Sequence, residues 1–442
     1  MAMNRNHLSG LGLAIGSMGA ALGGAAAWGG PCSPAWAPGV GLEQTGSVQA
    51  FALLDEAGSP TLYAGGSLSG GVLRFDGTEW VALPGNPIAE VRGLAVFDDG
   101  SGPALYAAPE SGLDTEGSII LGVARRVAGG WEQVGGALTT AAVNWLAVVD
   151  DGTGNGAALY ALGAFDRAGQ ADAPAVAKWD GIAWSGVGNL TDGLARVAVG
   201  FDDGAGHALY VGGNFLTFGG VPANIAKFNG STWSAVGGGL NGIVAALAVF
   251  DDGDGAALYA AGTVRPDGAQ FPFVVRRWDG IAWTQVGNGF NGNIAALTVF
   301  DDGGGPALYA AGTFGAQITP EGAEIPISRV ARWDGESWTG LASGVSANAN
   351  AFLTLEIDGK PALLVGGSFD TAGGMPSENV GLWVGCAGQA VTGDLNGDGL
   401  VNAADLGALL GAWGTNDAGA DLDGDGVVGA ADLAILLGSW ST

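Results

Sequence analysis

The sequence predicts an all-β protein, a ring of seven repeated four-stranded antiparallel units, followed by a small α-helical module. Three observations carry this prediction: abundant glycine, a strand–turn–strand pattern that recurs seven times, and two Asp-rich loops near the C-terminus. The chain has 442 residues, of which 85 are glycine. Each glycine in a helix interior costs about 1 kcal/mol, so long helices are disfavoured. Hydrophobic residues, 48% of the chain with 15 tryptophans, can fill a core and argue against disorder.

The net charge of the chain argues against two classes of binding partner, nucleic acids and anionic membranes. The chain carries 15 basic and 43 acidic residues, a formal charge of -28. Phosphate backbones recruit Lys and Arg, so this charge argues against nucleic-acid binding and against anionic membranes. Two cysteines and two histidines leave too few ligands for a zinc, haem or iron–sulfur site.

The first 27 residues read as a secretory signal peptide. Arg5 precedes an apolar run over residues 8–27 that ends in three alanines. This order predicts cleavage after Ala27 and a secreted, extracellular or cell-surface protein. An uncleaved N-terminal anchor is the alternative, and no later segment is apolar and long enough to span a membrane.

Each repeat begins with an apolar strand, an acidic turn and a second strand, as in residues 94–107. The turns lie 43 to 56 residues apart. They occupy Asp55-Glu56, Asp98-Asp99, Asp150-Asp151, Asp202-Asp203, Asp251-Asp252, Asp301-Asp302 and Ile357-Asp358. Two shorter runs with aromatic residues follow in each repeat, for example around Trp179 and Trp184. Four short strands bounded by Gly and Asp turns predict an antiparallel meander that must stack on its neighbours.

The two ends of the repeat region predict a closed ring. The seventh repeat stops after Trp383 without a fourth strand, and residues 35–42 before the first repeat match that missing strand. An N-terminal strand that completes the last sheet explains this offset. The sequence therefore predicts a seven-bladed β-propeller over residues 28–386.

Cys32 and Cys386 lie at the closing seam, where a turn joins the third and fourth strands in complete repeats. We predict a disulfide between them in an oxidising compartment. Two unpaired or separately used thiols are the alternative.

The repeat resembles the Kelch-type propellers over residues 35–386. The resemblance lies in a diglycine that ends the second strand, followed by an aromatic on the third strand and a Trp on the fourth. The diglycines are Gly65-Gly66, Gly212-Gly213 and Gly366-Gly367.

Two twelve-residue loops at the C-terminus have the spacing of calcium loops, each with glycine at its sixth position. Oxygen ligands at alternating positions wrap around one hard cation. The predicted ligands of the first loop are Asp394, Asn396, Asp398, Leu400, Asn402 and Asp405. Those of the second are Asp421, Asp423, Asp425, Val427 and Asp432, with Leu400 and Val427 offering backbone carbonyls. Gly429 has no side chain at the ninth position, where water is expected. The sequence thus predicts two Ca²⁺ ions.

Each loop leads into a short helix with apolar residues at period 3.6, and these faces are predicted to pack together. They are Leu406, Leu409, Leu410 and Trp413, then Leu433, Leu436, Leu437 and Trp440.

The paired loops without an entering helix, each ending in Asp, resemble the type I dockerin module. The resemblance implies a calcium-dependent docking domain over residues 394–442, after a linker at 387–393, that binds a cohesin-like module on a scaffold or cell surface. It also implies partner-binding residues at the tenth and eleventh loop positions, Ala403, Ala404, Ala430 and Ala431. These alanines either fit a partner or pack internally.

The ring offers little obvious catalytic chemistry. All six tyrosines occupy one repeat position, as do six basic residues that we interpret as strand-face charges. The tyrosines are Tyr63, Tyr106, Tyr160, Tyr210, Tyr259 and Tyr309, with Leu364 in the seventh repeat. The basic residues are Arg74, Arg126, Lys178, Lys227, Arg277 and Arg332, with Leu382 last. His207 is interpreted as a solvated turn residue, and the acidic turns as solvated hairpin tips.

Connections between the second and third strands vary in length and include Arg265, Phe271, Phe273 and Glu324. Strand alternation places them on one face, which is predicted to bind a glycan or protein ligand. The function predicted is a secreted, scaffold-docked binding propeller in a polysaccharide-related setting. The alternatives are a carbohydrate-active hydrolase or lyase with the same tail, and a structural surface protein.

Overall fold

The described residues cover nearly all of the repeat region. The computed structural model describes residues 33–38, 40–42, 44–56, 58–83, 90–110, 112–113, 117–139, 143–154, 156–187, 193–215, 217–218, 221–222, 224–266, 272–386, 393, 395, 401–417 and 419–440. The predicted signal segment, Cys32 and most of the predicted linker lie outside these ranges.

Seven antiparallel sheets of four blade strands each form a β-propeller, which confirms the predicted fold class. The sheet of blade 5 is extended to six strands by Ala316–Ile318 and Glu324–Pro326 from the connection in blade 6. Blade 1 consists of Val48–Glu56, Ser59–Gly66, Val72–Phe75 and Trp80–Ala82. Blade 2 consists of Val91–Asp98, Pro103–Pro109, Ala124–Val127 and Gly130–Gln133. Blade 3 consists of Val143–Asp150, Ala157–Gly163, Val176–Trp179 and Trp184–Gly186. Blade 4 consists of Gly193–Asp202, His207–Phe215, Ile225–Phe228 and Trp233–Ala235.

The remaining blades repeat this order. Blade 5 consists of Val244–Asp251, Ala256–Gly262, Phe273–Trp278 and Trp283–Phe290. Blade 6 consists of Ile294–Asp301, Pro306–Gly312, Val330–Trp333 and Trp338–Gly340. Blade 7 consists of Ala349–Ile357, Lys360–Gly367, Val380–Val384 and, as its fourth strand, the N-terminal Ala35–Ala37. The short strands in the connections are Gly112–Leu113, Ile119–Ile120, Leu138–Thr139, Arg167–Ala168, Ala171–Asp172, Thr217–Phe218, Val221–Pro222, Ala316–Ile318, Glu324–Pro326, Thr371–Ala372 and Met375–Pro376.

The N-terminal strand closes the ring. Ala35–Ala37 pairs antiparallel with Val380–Val384, and Trp36 stands opposite Trp383. The first strand of each blade contacts the first strand of the next, and that of blade 7 contacts that of blade 1. These first strands therefore surround the central axis, and each blade buries its two faces against its neighbours.

Tryptophan indoles tie adjacent blades together. Trp184 on the fourth strand of blade 3 donates from Nε1 to the Val134 carbonyl of blade 2 at 2.9 Å. The same bond joins later blades, from Trp233 to Val187, from Trp283 to Val236 and from Trp338 to Val286. At the seam the N-terminal segment is both donor and acceptor of this bond: Trp36 donates to the Leu341 carbonyl, and the Val40 carbonyl accepts from Trp80.

The second glycine of the diglycine motif is explained by close backbone approach. A Cβ at Gly66, Gly213 or Gly367 would collide with a backbone carbonyl at the start of the same blade's first strand. Gly262 and Gly312, which stand alone without a partner glycine, meet the same obstacle. The position therefore requires glycine for space. The resemblance to Kelch-type propellers stays a prediction.

The repeated tyrosines and basic residues form ion-pair networks with the acidic turns. In blade 3, the Tyr160 hydroxyl and Lys178 Nζ both donate to Asp151, at 2.6 and 2.7 Å. Asp151 is only 2% exposed and Asp302 only 7%, so the interpretation as solvated tips is wrong for these two carboxylates. The second acidic residues of three other turns are exposed, namely Glu56, Asp252 and Asp358.

Related networks occur in other blades. Tyr106, Tyr210 and Tyr259 donate to the second aspartate of their own turns. In blade 2 the cation opposite Tyr106 is Arg125, which lies 3.5 Å from Asp99. The prediction of Arg126 was one residue off, since Arg126 instead stacks over Trp131. Blade 7 replaces the tyrosine and cation with the opposed pair Leu364 and Leu382.

The C-terminal module contains two helices, α1 (Ala403–Gly411) and α2 (Ala430–Gly438). Leu409 and Leu436 are fully buried in a shared core, with Val401, Ala420 and Val428 around them. Half of the predicted apolar face does not join this core. The side chains exposed instead are Leu410, Trp413, Leu437 and Trp440.

Among the described residues, neither helix is long and apolar enough to cross a membrane.

Candidate functional site

The second Asp-rich loop is folded around its own carboxylates. Gly424, at φ +75, and Gly426, at φ +93, take backbone conformations that favour glycine and let the loop turn back on itself. Asp421 accepts hydrogen bonds from the backbone N–H groups of Gly424 at 2.9 Å and Gly426 at 2.8 Å. The sharp turn predicted at the sixth loop position is therefore present.

Three carboxylates converge in this loop. One ligand atom each from Asp421, Asp423 and Asp432 lie within 4.8 Å of one another. Asp425 uses Oδ1 to accept from the Val427 N–H at 2.9 Å and does not join that cluster. The structure thus brings together three of the four carboxylates predicted for this loop.

Asp432 holds the two ends of the loop together. It is 1% exposed and accepts from the N–H groups of Leu422 at 2.7 Å and Gly429 at 2.6 Å. The hydrogen bond from Gly429, followed by those from Asp423 and Leu422, lowers the pKa of Asp432. The pKa of Asp423 is raised: its bond from the Asp425 N–H lowers the pKa most, but desolvation and the three surrounding carboxylates outweigh it.

The first loop is described at its C-terminal end. Asp405 is fully buried and accepts from Leu395 N–H and Asn402 N–H, both at 2.9 Å. Asn402 caps α1 by accepting from Ala404 N–H at 2.8 Å. Asp405 therefore occupies the same place in its loop as Asp432. Asp394, Asn396, Asp398 and Leu400 lie outside the described residues.

The donors of the second loop fit calcium. The cation takes six to eight oxygen ligands at 2.3 to 2.6 Å, so oxygens that share one ion lie within about 5 Å of one another. Three clustered carboxylates satisfy this distance and supply only hard oxygen donors. The loop lacks the nitrogen and sulfur ligands that zinc prefers.

The predicted docking residues are exposed. Ala403 and Ala404 begin α1, Ala430 and Ala431 begin α2, and all four side chains face solvent. The sequence left two alternatives for these alanines, contact with a partner or internal packing, and internal packing is wrong because they are exposed. Each pair lies at the end of its loop, directly before the buried aspartate, Asp405 or Asp432, so its position depends on that aspartate.

Other singled-out residues have structural partners. His207 lies within 2.8 Å of the Asp150 carbonyl in the preceding blade, so it bridges two blades instead of facing solvent alone. Arg265 lies over the ring of Phe273, 5.4 Å from its centroid. Glu324 is exposed in its short strand, and Phe271 lies outside the described residues.

Cys386 is disulfide-bonded. Its N–H donates to the Asp302 carbonyl at 2.8 Å, which fixes the end of blade 7 against blade 6. The predicted partner, Cys32, lies outside the described residues.

Comparison with known proteins identifies the C-terminal module. Residues 392–438 match the dockerin type I domain, and this part of the chain is a dockerin domain of the calcium-binding type. Such a domain indicates docking to a cohesin. No curated protein matches the chain.

Two solved structures align with the chain at low identity. The extracellular domain of the hybrid two-component system BT4673 from B. thetaiotaomicron aligns over 79% of this chain, with 10% identity and a TM-score of 0.48. The chain covers 39% of that protein. The Niastella koreensis GH74 enzyme aligns over 80% of this chain and 68% of its own length, with 14% identity and a TM-score of 0.29. The propeller assignment therefore rests on the sheet topology.

Proposed function

We propose that this chain is a secreted binding propeller, tethered to a cohesin-bearing scaffold or cell surface by its calcium-loaded dockerin domain. The observation that carries the proposal is the link between Asp432 and the exposed alanines of α2. Asp432 belongs to the carboxylate cluster, is buried, and lies one residue after Ala431.

Calcium binding would control docking through electrostatics. Without a cation, Asp421, Asp423 and Asp432 place like charges within 4.8 Å of one another. Like charges at this distance repel, and a divalent ion removes the repulsion while it bridges the start and end of the loop. The loop then holds α2, and with it Ala430 and Ala431, in one orientation. We propose one ion in each loop, two in all.

The docking surface proposed here is small and apolar. It consists of the alanine pairs together with the exposed side chains Leu410, Trp413, Leu437 and Trp440. Trp440 is 37% and Trp413 44% exposed. Exposed aromatic residues are enriched in protein interfaces, where they supply most of the binding energy. A cohesin with an apolar complementary face fits this surface.

The test is binding of the purified chain to a panel of cohesin modules by calorimetry. We expect binding in calcium and none after chelation with EGTA. Replacing Ala404 and Ala431 together with Arg should abolish binding, because two charges would be desolvated against an apolar face. The control is Ile182→Arg, which adds a charge at an 87% exposed site on the propeller. Equal binding of all variants would overturn the docking proposal.

The propeller itself is proposed to bind polysaccharide or a surface protein on its variable face. That face carries extra hairpins between the second and third strands, such as Ala316–Ile318 with Glu324–Pro326. Incubation with polysaccharides separates binding from hydrolysis. Retention without soluble product supports binding, whereas release of oligosaccharides would replace this proposal with the hydrolase or lyase.

A further inference from the structure

Each blade begins with a β-bulge in its first strand. One residue of that strand has no partner in the second strand, and the pairing register shifts around it. The unpaired residues are Gln49, Arg92, Asn144, Arg196, Ala245, Ala295 and Asn350. Bulges re-aim side chains and occur often beside functional sites. All seven lie where the second strand ends, so they share the face of the variable connections.

Because the first strands surround the central axis and each bulge lies at the start of its strand, the fold places the seven bulge residues around the mouth of the central channel. Arg92 Nη1 donates to Asn144 Oδ1 at 3.0 Å, which joins blades 2 and 3. Asn350 Nδ2 donates to Ser47 Oγ at 2.9 Å, which joins blades 7 and 1. Ala245 and Ala295 line the cavity at the centre of the propeller directly.

The cavity inside this ring is apolar and about 160 Å³ in volume. Its walls come from the first strands of all seven blades. The large lining side chains are Phe51, Leu94, Trp145, Leu247, Leu297 and Phe352. An apolar protein cavity of roughly 150 Å³ accommodates one benzene molecule, so one aromatic ring matches this volume.

The ring carries one cation that the protein does not neutralise. Arg92 is held by Asn144 and by Glu90, whose carboxylate lies 3.6 Å away. Arg196 has no hydrogen bond or ion pair with any residue that the structure describes, and its side chain is exposed. Surrounding protein atoms still desolvate the guanidinium and lower its pKa.

Arg196 lies in the bulge directly before Val197, which lines the cavity. The bulge residues of the next two blades, 5 and 6, are Ala245 and Ala295, which line the same cavity and whose side chains carry no hydrogen-bonding group to occupy the space that Arg196 faces in our proposal. An anionic group in this space could accept two parallel hydrogen bonds from the guanidinium, the geometry that Arg forms with carboxylates. An apolar group attached to it would enter the cavity below.

We propose that the channel mouth binds a single-ring aromatic carboxylate, with the carboxylate on Arg196 and the ring in the apolar cavity. This site is separate from the dockerin domain and does not depend on docking. The ligand is proposed to have an aromatic ring because the cavity walls are apolar, and a carboxylate because the Arg196 guanidinium has no partner among the described residues.

The experiment is calorimetric titration of the full chain with benzoate, at concentrations up to about 10 mM, where a weak complex is still detected. Benzyl alcohol has the aromatic ring without the negative charge, and acetate has the carboxylate without the aromatic ring. Each therefore measures the affinity that is left when one of the two proposed contacts is missing. We expect benzoate to bind at least tenfold more tightly than either, because a charge-assisted hydrogen bond and ring burial act together. Quenching of tryptophan emission should accompany binding, since Trp145 lines the cavity.

Variants separate the two contributions. Arg196→Gln should weaken benzoate binding at least tenfold, and Arg196→Lys should retain part of it because the charge remains. Ala295→Leu should block the cavity and remove binding while Arg196 is intact. The control is Arg167→Gln, which removes a half-exposed guanidinium from a short strand in the connection between the second and third strands of blade 3. Circular dichroism melts establish that each variant folds.

Three outcomes would overturn the proposal. The first is the absence of benzoate binding to the unmodified chain. The second is equal affinity in the Arg196→Gln and Arg167→Gln variants. The third is equal affinity for benzoate and benzyl alcohol, which would mean that the guanidinium has no part in binding.

Discussion

Trp36 and Trp383 pack edge to face across the seam of the ring, with their centroids 5.5 Å apart and an angle of 70° between planes. They stand directly opposite each other in the pairing register. Trp179 with Trp184, and Trp333 with Trp338, hold the same register position in complete blades. The seam therefore reproduces the packing of an ordinary blade, although no turn joins its last two strands.

Trp36→Ala should destabilise the whole ring. The side chain is 7% exposed and donates a buried hydrogen bond to the Leu341 carbonyl at 2.8 Å, so its loss leaves both a cavity and an unsatisfied acceptor. We expect the free energy of unfolding to fall by about 3–5 kcal/mol. Urea denaturation followed by circular dichroism measures it. Ile182→Ala, at an 87% exposed site, should change it by no more than about 0.5 kcal/mol. Similar values for the two variants would contradict closure through Trp36.

The disulfide proposed at the seam gives a second prediction. Cys386 is disulfide-bonded and Cys32 is the only other cysteine in the sequence, so we propose that they pair with each other. Cys386→Ser should lower the free energy of unfolding by about 2–4 kcal/mol, because the open chain gains entropy. Mass spectrometry of a non-reduced digest should find the two cysteine peptides linked within one molecule. Free thiols, or a link between two molecules, would refute the pairing.

The propeller fold could be predicted because the same sequence pattern occurs in all seven blades. The acidic turns give seven markers, and the match between residues 35–42 and the fourth strands reveals the circular order. The ion-pair networks were not predictable in detail. They depend on pairing register between strands, which placed Arg125 opposite Tyr106 where a reading of spacing alone suggested Arg126.

The helical module shows a different limit of sequence reasoning. The period of 3.6 residues correctly identified Leu409 and Leu436, but each helix has nine residues and one helix as its neighbour. So narrow a contact buries one row of side chains, and Leu410 and Leu437 remain 53% and 51% exposed. The channel-mouth ring was missed because a bulge has no sequence signature in a strand of ordinary composition.

Acid should lower the free energy of unfolding of the propeller, in part through Asp151. Burial alone would raise the pKa of this carboxyl, but hydrogen bonds from Lys178, Thr153 and Tyr160 outweigh it and bring the pKa well below its usual value. A depressed pKa stabilises the fold above the unfolded-state value of about 3.9, and this contribution disappears as the pH falls below it.

Asp151→Asn should therefore cost about 3–5 kcal/mol at pH 7, since it leaves Lys178 partly buried without its partner. The difference from the unmodified chain should shrink as the pH falls below about 4, because Asp151 then binds a proton in the unfolded chain while it is still ionised in the folded one. Urea titrations at several pH values measure both effects. Glu336→Gln, on an exposed turn, serves as the control and should behave like the unmodified chain. A difference that does not change with pH would rule out the ion pair as its source.

Removal of a single carboxylate should weaken one of the two proposed calcium sites and leave the other intact. Asp432→Asn removes one of three clustered carboxylates and weakens the group that accepts from Leu422 and Gly429. Because calcium affinity follows the number of charged ligands, we expect at least a tenfold loss at the second loop and a drop from two bound ions to one. Asp405→Asn should do the same at the first loop, and the double variant should bind none. Calorimetry on chelator-treated protein counts the ions.

Asp417→Asn supplies the matched control, because this carboxylate caps the Gly419 N–H at 2.9 Å between the two loops and belongs to neither. It should leave two ions bound. Amide exchange adds a second readout: calcium removal should speed exchange over residues 394–440 and leave the blades protected, since the helices share a core of their own. If Asp432→Asn kept two ions at full affinity, the buried aspartate would be a loop-closing residue alone. The dependence of docking on calcium would then need a different origin.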